Sequence, residues 1–470
     1  MALTRREVVC RSFASFGAVV LAFERFGLLQ ALAQAGDYKA LVCIFLFGGN
    51  DSGNMLIPYD DYATYAAVRQ NAGLAIPQSS LLPINVPSLG SQLAFHPSLT
   101  GLHDLWGQGK VAVVCNVGPL VEPTTSTAYR NGTALVPLNL FSHADQQNQW
   151  QTSVANGSST AGWGGRTADK MAQRNASTLP VVLSVAGTPL FVTGNTEQAL
   201  ALAAAPTRLD AALPLDGFLT PPDTDARYLA MRDILQVDQH LTLVRGASQV
   251  TRKALEAQGT LRLMGDPLVP PFPLHPRTSL GNQLEQVAKL ISVREALGIS
   301  RQIFFCSLGG FDTHSGQVAT GNPTTGTQAD LLAQVGNAMQ AFYEATVSLG
   351  VASQVVTFTL SDFARTFVPN GNLGTDHAWG AHHVVMGGAV RGGDFYGVPG
   401  SNGTIFPTLA PAGPDDTDAG GGARGRWIPT VAVDQYGATL ASWFGVGNAD
   451  LAAVFPNLGR FSSPTLGFLG

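Results

Sequence analysis

Two short stretches of the chain concentrate the residue types that can hold a metal ion. In GGFDTHSGQ (309–317), Asp312 and His314 stand two apart just after an apolar run. In GTDHAWGAHH (374–383), Asp376 is followed at once by His377, then by His382 and His383, so three of the chain's nine histidines fall within seven residues. Carboxylate with imidazole suits a divalent transition ion, and the two side chains of a D-x-H triplet can face one point once the chain has left the extended form. On a strand, His382 and His383 would point to opposite faces, so only one of them would enter a site. Asp362 closes another apolar run in TLSDFART, with Arg365 the next basic residue. A guanidinium there either pairs with a ligating carboxylate or grips an anionic oxygen with its planar fork. Plainer roles compete with each of these: a D-x-H turn, a helix-capping Asp362, a solvated polar loop.

These clusters need elements that bring them together. KALVCIFLFGG (39–49), KVAVVCNVG (110–118), LPVVLSVAG (179–187), RQIFFCSLGG (301–310) and SQVVTFTLSD (353–362) are short, continuous apolar runs, as expected for strands buried on both faces. Helical patterns lie between several of them, including 98–108 and 329–350, which predicts an α/β fold: a mostly parallel central sheet with helices on both faces. Between about 226 and 298 the chain turns to long helix formers, read as a helical insertion within a single domain spanning 36–470. Ligand sites in open α/β sheets gather at the carboxyl ends of strands. Asp312 and His314, Asp362, and Asp51 in LFGGNDSGN (46–54) all follow such runs.

Charged residues make up only 13% of the chain and the formal net charge is −5, so no basic surface points to a nucleic-acid partner. Cys10, Cys43, Cys115 and Cys306 show no C-x-x-C spacing and read as buried thiols. Residues 1–35 read as an export signal: Arg5 and Arg6 precede a stretch rich in Ala, Phe, Leu and Val, and Ala33-Gln34-Ala35 offers a small-x-small cleavage site. Paired arginines predict the twin-arginine route, with its translocase as a transient partner and a periplasmic or secreted destination. No later stretch reaches about 18 uninterrupted apolar residues.

A strand ending in Asp, an Asp and a His from a second strand end, a strand ending in Ser-Asp, and a downstream D-H cluster resemble the alkaline phosphatase and sulfatase superfamily. The paired-arginine leader, LVCIFLFGGND, LFSHADQQNQWQ, GWGGR, GGFDTH, SDFART, GTDHAWGAHH, MGGAVRGG and DQYGATLASWFGV together resemble the bacterial DUF1501 family over nearly the whole chain. The resemblance implies an alkaline phosphatase-like fold. It also implies Asp51 as a metal-bridging carboxylate, Asp312 and His314 as ligands of one ion, and Asp362 and His377 for a second, completed by His382 or His383. Where the superfamily has adjacent Asp and His, this chain has Asp362-Phe363, so the missing imidazole must come from residues 376–383. The Cys or Ser followed by x-Pro-x-Arg that marks sulfatases is absent near CNVGPLVEPTTSTAYR.

The attacking residue of that superfamily comes from a helix start, which Ser142 in LFSHADQQNQW would match. Its S-x-x-D spacing to Asp145 also fits a plain helix cap. Ser142 and Arg365 are thus the expected catalytic residues. The expected function is an exported hydrolase of phosphate or related oxyanion esters, small or polymer-borne, with one or two divalent ions per chain: zinc first, manganese or calcium otherwise. The alternative is a binding or assembly protein that keeps the fold with one structural ion or none.

Overall fold

The computed structural model describes residues 37–213, 226–270, 272 and 277–470. In chain order the strands are β1 (Lys39–Leu46), β2 (Leu56–Pro58), β3 (Leu82–Val86), β4 (Ser91–Phe95), β5 (Val111–Gly118) and β6 (Val182–Ser184). They continue with β7 (Leu200–Ala201), β8 (Arg301–Leu308), β9 (Val355–Ser361), β10 (Ala381–Gly387), β11 (Phe395–Tyr396) and β12 (Val431–Ala432). Nine of them form the central sheet, in the order β11-β5-β10-β9-β1-β8-β6-β7 with β12 also on β5, while β2, β4 and β3 make a small antiparallel sheet. Every pair in the large sheet is parallel except those made by β10. The five apolar runs all supply strands of this sheet.

Strand β1 shows why the runs are apolar throughout. Ala40, Val42, Ile44 and Leu46 face one core, shared with the helices Thr100–Gly107, Ser279–Ser292 and Thr327–Ser348. Leu41, Cys43 and Phe45 face a second core, closed by Trp163–Met171 and Val433–Phe444. With period 2 and helices on both faces, neither side of the strand meets water. The architecture is therefore the expected α/β arrangement.

The stretch 226–298 holds the helices Ala226–Ile234, Thr242–Met264 and Ser279–Ser292. The last lies in the layer against the sheet, with Leu280, Leu284, Val287 and Ile291 fully buried. Cys43, Cys115 and Cys306 are free and buried, as their apolar settings predicted. Among the described residues no helix is long and apolar enough to cross a membrane. Arg5, Arg6, Cys10 and the proposed cleavage site lie outside the described residues.

Candidate metal centre

At one edge of the sheet the segments after β1, β8 and β9 and the segment leading into β10 come together. Gly48, in the turn after β1, has φ +113, and a Cβ there would lie 2.3 Å from the Asp312 backbone nitrogen, so only glycine lets the two turns touch. Gly48 then serves both neighbours. Its N–H donates to Asp362 Oδ1 (3.1 Å) and its carbonyl accepts from Arg365 Nη1 (3.2 Å). Gly374 plays a like part on the other side, where a Cβ would sit 2.4 Å from the backbone of His314.

Four side-chain atoms converge on this edge. Asp312 Oδ1 lies 3.3 Å from His143 Nε2, 3.2 Å from His314 Nε2 and 3.5 Å from His377 Nε2. The two nitrogens of His314 and His377 are 2.8 Å apart. His143, Asp312 and His377 place one ligand atom each within 4.8 Å of one another. Ligands at about 2.0–2.1 Å from a tetrahedral ion are separated by about 3.3 Å, close to these spacings.

Each imidazole is aimed from behind. His143 Nδ1 is 2.6 Å from Asp362 Oδ2, His314 Nδ1 is 3.0 Å from Asp376 Oδ1, and His377 Nδ1 is 2.6 Å from the Phe141 carbonyl. A carbonyl only accepts and an ionised carboxylate only accepts, so the partners assign the proton of all three rings to Nδ1. The three Nε2 atoms are then bare lone pairs turned toward one carboxylate oxygen, those of His314 and His377 also toward each other. Acceptors do not gather in this way without a cation or extra protons between them. His143 Nε2 is in addition buried with no hydrogen-bond partner.

Charge reinforces the arrangement. The hydrogen bond that Asp362 accepts from His143 raises the pKa of that ring, against the opposing effect of burial. Burial pushes the Asp312 carboxyl up, but the Arg365 guanidinium and the imidazoles of His143 and His314 more than offset it and hold the group below the usual carboxylate range. Asp376 is likewise lowered on balance: burial raises it, while the Asn370 amide, His314 and Arg424 bring it down. Burial lowers the pKa of His377, which favours the neutral, ligating form. Asp312 and His314 are each close to half exposed, so the cluster opens to solvent on their side.

The backbone bears strain where it positions these groups. Asn139 (φ 47) and Phe141 (φ 72) are left-handed just before His143, and Leu373 (φ 52) is left-handed just before the 374–377 segment. A bulky residue pays of order 1–3 kcal/mol for that region. Phe141 is fixed from three sides: its N–H donates to Gln146 Oε1 (2.7 Å), its carbonyl faces His377, and the Arg426 guanidinium lies over its ring.

Of the residues singled out in the sequence, Asp312, His314 and His377 meet. Asp362 and Asp376 stand behind them, orienting His143 and His314. Arg365, fully buried at its side chain, donates to Asp312 Oδ1 (2.8 Å) and to the Thr375 carbonyl, so it holds a carboxylate and does not line the open side. Asp51, expected to bridge ions, is engaged elsewhere: both its oxygens receive Arg69 (2.6 and 3.1 Å), Gln317 Nε2 adds a third donor (2.6 Å), and it caps the following turn through Gly53 N–H (3.0 Å). His382 and His383 lie on β10 and face opposite ways as strand geometry requires, yet neither ring is among the converging groups. His382 Nδ1 accepts from Asn116 N–H and its ring stacks on Phe406, whereas His383 meets the edge of Trp150 and the Thr359 hydroxyl. Burial drives the pKa of each down to about 3. Ser142 is the N-cap of the helix His143–Thr152, with its Oγ donating to Asp145 Oδ2 at 2.6 Å.

The sequence reading missed His143, although LFSHADQQNQW was singled out for its serine. A usable signal was present. His143 and Gln147 are four apart on one helix face, and both reach Asp362 Oδ2 (2.6 and 2.7 Å).

A family model described as "Protein of unknown function (DUF1501)" matches residues 38–404. No curated protein matches the chain. Solved structures similar to it include the lipoteichoic acid synthase LtaP from Listeria monocytogenes, at 8% identity and TM-score 0.32, covering 88% of this chain and 74% of that one. Ps i-CgsB in complex with k-i-k-neocarrahexaose is 11% identical with TM-score 0.33, covering 91% and 77%. The PsFucS1 sulfatase from Pseudoalteromonas sp. is 11% identical with TM-score 0.28, covering 80% and 67%. Likeness this faint leaves the chemistry to be argued from the site.

Proposed function

Because the chain belongs to the DUF1501 family, whose description assigns no activity, we propose from the site itself that this protein is an exported, metal-dependent hydrolase of phosphate or related oxyanion esters. One observation carries the reading: three imidazole nitrogens, each oriented by an oxygen on its far side, converge with Asp312 Oδ1 as bare acceptors. The donor set of three histidines and one carboxylate suits zinc, with manganese as the next choice. His143, Asp312, His314 and His377 would hold the ion. Among the described residues no second such group converges, so the reading takes one ion per chain.

Such an ion supplies Lewis acidity against which an ester oxygen can be polarised. The chain's own residues do the rest. Asp362 and Asp376 fix two rings, as outer carboxylates do for metal-bound histidines. Arg365 braces Asp312 from the buried side. The shell of Asp312, Asp362 and Asp376 against Arg365 and Arg424 carries a charge of −1 (two cations minus three anions), which a divalent ion turns to +1. A site of that sign on the open, half-exposed side of Asp312 and His314 favours an anionic group. Ser142, with its hydroxyl donated to Asp145, acts as a cap in this reading, and attack comes from water. Export through the twin-arginine route, resting on Arg5 and Arg6, belongs to the same proposal.

The test is to load the purified protein with zinc, manganese or calcium, count ions per chain, and screen phosphate and sulfate esters, with His143→Ala alongside. One ion per wild-type chain, with turnover lost together with the ion in the variant, is the expected result. A held ion without turnover on any ester would favour the binding or assembly alternative, and a wild-type chain that retains no ion overturns the proposal.

A further inference from the structure

Behind the metal cluster, Gln317 is completely buried and uses every hydrogen-bonding position of its side-chain amide. Nε2 donates to Asp51 Oδ2 (2.6 Å) and to Gln328 Oε1 (2.8 Å), while Oε1 accepts from the hydroxyls of Thr375 (2.6 Å) and Thr313 (3.1 Å). The carboxylate of Asp51, paired with Arg69, only accepts. The amide nitrogen must therefore face Asp51, and the amide oxygen must face the threonines.

Those threonines stand among the ligands. Thr313 lies between Asp312 and His314, and Thr375 directly precedes Asp376 and His377. The two segments run side by side, with Gln317 N–H donating to the Leu373 carbonyl (2.9 Å) and Thr375 N–H to the Thr313 carbonyl (3.1 Å). A single buried oxygen, Gln317 Oε1, thus holds a hydroxyl from each segment where their rings meet, His314 Nε2 being 2.8 Å from His377 Nε2. A second line of contacts runs to the carboxylate. Thr375 gives its one hydroxyl proton to Gln317 Oε1, which leaves its lone pairs to accept from Arg365 Nε (3.4 Å), and Arg365 Nη1 donates to Asp312 Oδ1 (2.8 Å).

We infer that Gln317 is a positioning residue of the metal centre: its amide oxygen, acting through Thr313 and Thr375, sets the separation of the two ligand-bearing segments and keeps Arg365 aimed at Asp312. The inference rests on the metal reading of the cluster. Asp51, which holds no ion itself, gains a part in the site through it, because its carboxylate fixes which end of the amide meets the threonines. Outer groups that orient ligands govern metal affinity even though they never touch the ion.

The test uses the full chain with Gln317→Met, Thr375→Val and Thr375→Ser. Zinc affinity is measured by chelator competition, and the visible absorption of bound cobalt reports the ligand geometry. Methionine keeps the length of Gln317 without its acceptor. Valine keeps the shape of Thr375 without its hydroxyl, and serine restores that hydroxyl. Gln317→Met and Thr375→Val should each weaken zinc binding by roughly 10–100-fold and shift the cobalt spectrum. The double variant should lose little more than either single one, because both changes break the same contact. Thr375→Ser should stay within about twofold of wild type. A purely structural glutamine would lower the melting temperature and leave affinity and spectrum where they were, and that result overturns the inference. If Gln317→Met fails to fold, the contrast between valine and serine at 375 decides alone: equal affinities overturn the inference, and loss only in valine upholds it. A wild-type chain that takes up neither zinc nor cobalt overturns the metal reading and this inference with it, whereas unaltered variants of a metal-holding wild type overturn this inference only.

Discussion

The substitution Asp362→Asn separates a positioning carboxylate from a bystander. Asp362 accepts three hydrogen bonds, from His143 Nδ1 and Gln147 Nε2 on one oxygen and from Gly48 N–H on the other. Asparagine has the same shape but only one acceptor atom. If its oxygen takes the place facing His143, its amide N–H group meets the Gly48 N–H, donor against donor. If the oxygen faces Gly48 instead, the amide forces His143 into the other tautomer, with a proton on the Nε2 atom that must ligate. Either way the metal-binding form of His143 becomes harder to reach, and loss of an outer partner of this kind costs roughly 10–100-fold in affinity, about 1.4–2.8 kcal/mol. The assay is zinc competition against a chromophoric chelator, repeated from neutral to mildly acidic pH. Asp362 raises the His143 pKa in the metal-free protein, and metal binding needs the neutral ring. Wild-type affinity should therefore begin to fall at a higher pH than that of the variant, even though it is the greater at neutral pH. Affinity within about twofold of wild type at neutral pH, with an unshifted pH profile, would refute the assignment of His143 as an Asp362-oriented ligand.

Other substitutions divide structural from chemical roles. Asp51→Ala should cost about 3–5 kcal/mol of stability, because it strands a buried Arg69, and should leave the ion count per folded chain unchanged; denaturant melts with metal analysis check both. Ser142→Ala removes a cap and should cost about 1 kcal/mol while keeping most turnover on whichever ester the screen finds. His382 and His383 have folded pKa values near 3 against an ordinary value of about 6.5. Between those limits the unfolded chain binds more protons, so stability is full above about pH 6.5 and is lost as pH falls toward 3; His383→Phe should flatten the fall in melting temperature over that window. Phe141→Gly relieves left-handed strain but frees the backbone whose carbonyl orients His377, so zinc affinity should drop while the melting temperature changes little.

The fold was legible because it is written in composition. A strand covered by helices on both faces must be apolar at every position, and five such runs, each closed by glycine or a polar residue, name five strands of the central sheet without any tertiary knowledge. β10 escaped because its sequence, AHHVVMG, carries two histidines right after its first residue and reads as part of a polar loop. Those rings are tolerated in a fully buried strand because each finds a local partner, Asn116 N–H for one and the Thr359 hydroxyl for the other. Their burial keeps both rings neutral until the pH falls toward 3, and no count of histidines per segment could have foretold it. The helix Ser279–Ser292, grouped with an insertion on its helix-forming character, belongs to the layer on the sheet because its apolar stripe is complete, a property that propensity alone does not report.

The site shows a sharper limit. Asp51, Asp312 and Asp362 all follow buried strands at the same edge of one sheet, and by local sequence nothing ranks them. What separates them is the nearest donor in space. Asp51 has Arg69, eighteen residues on and completely buried, which takes both of its oxygens. Asp362 has a histidine and a glutamine from a helix more than two hundred residues upstream. Asp312 has an arginine behind it, yet its carboxylate remains near half exposed and shares its Oδ1 with three imidazoles. A carboxylate whose acceptors are filled by a buried guanidinium and amides has nothing left to offer an ion. A carboxylate with one guanidinium behind it and three ring nitrogens in their acceptor form before it still has lone pairs to offer an ion. The chemistry of the edge is thus decided by which long-range partners the sheet delivers, and the glycine pair after β1 matters more to it than the aspartate two residues later: Gly48 holds Asp362 and Arg365 in place, while Asp51 turns inward to cap and pair.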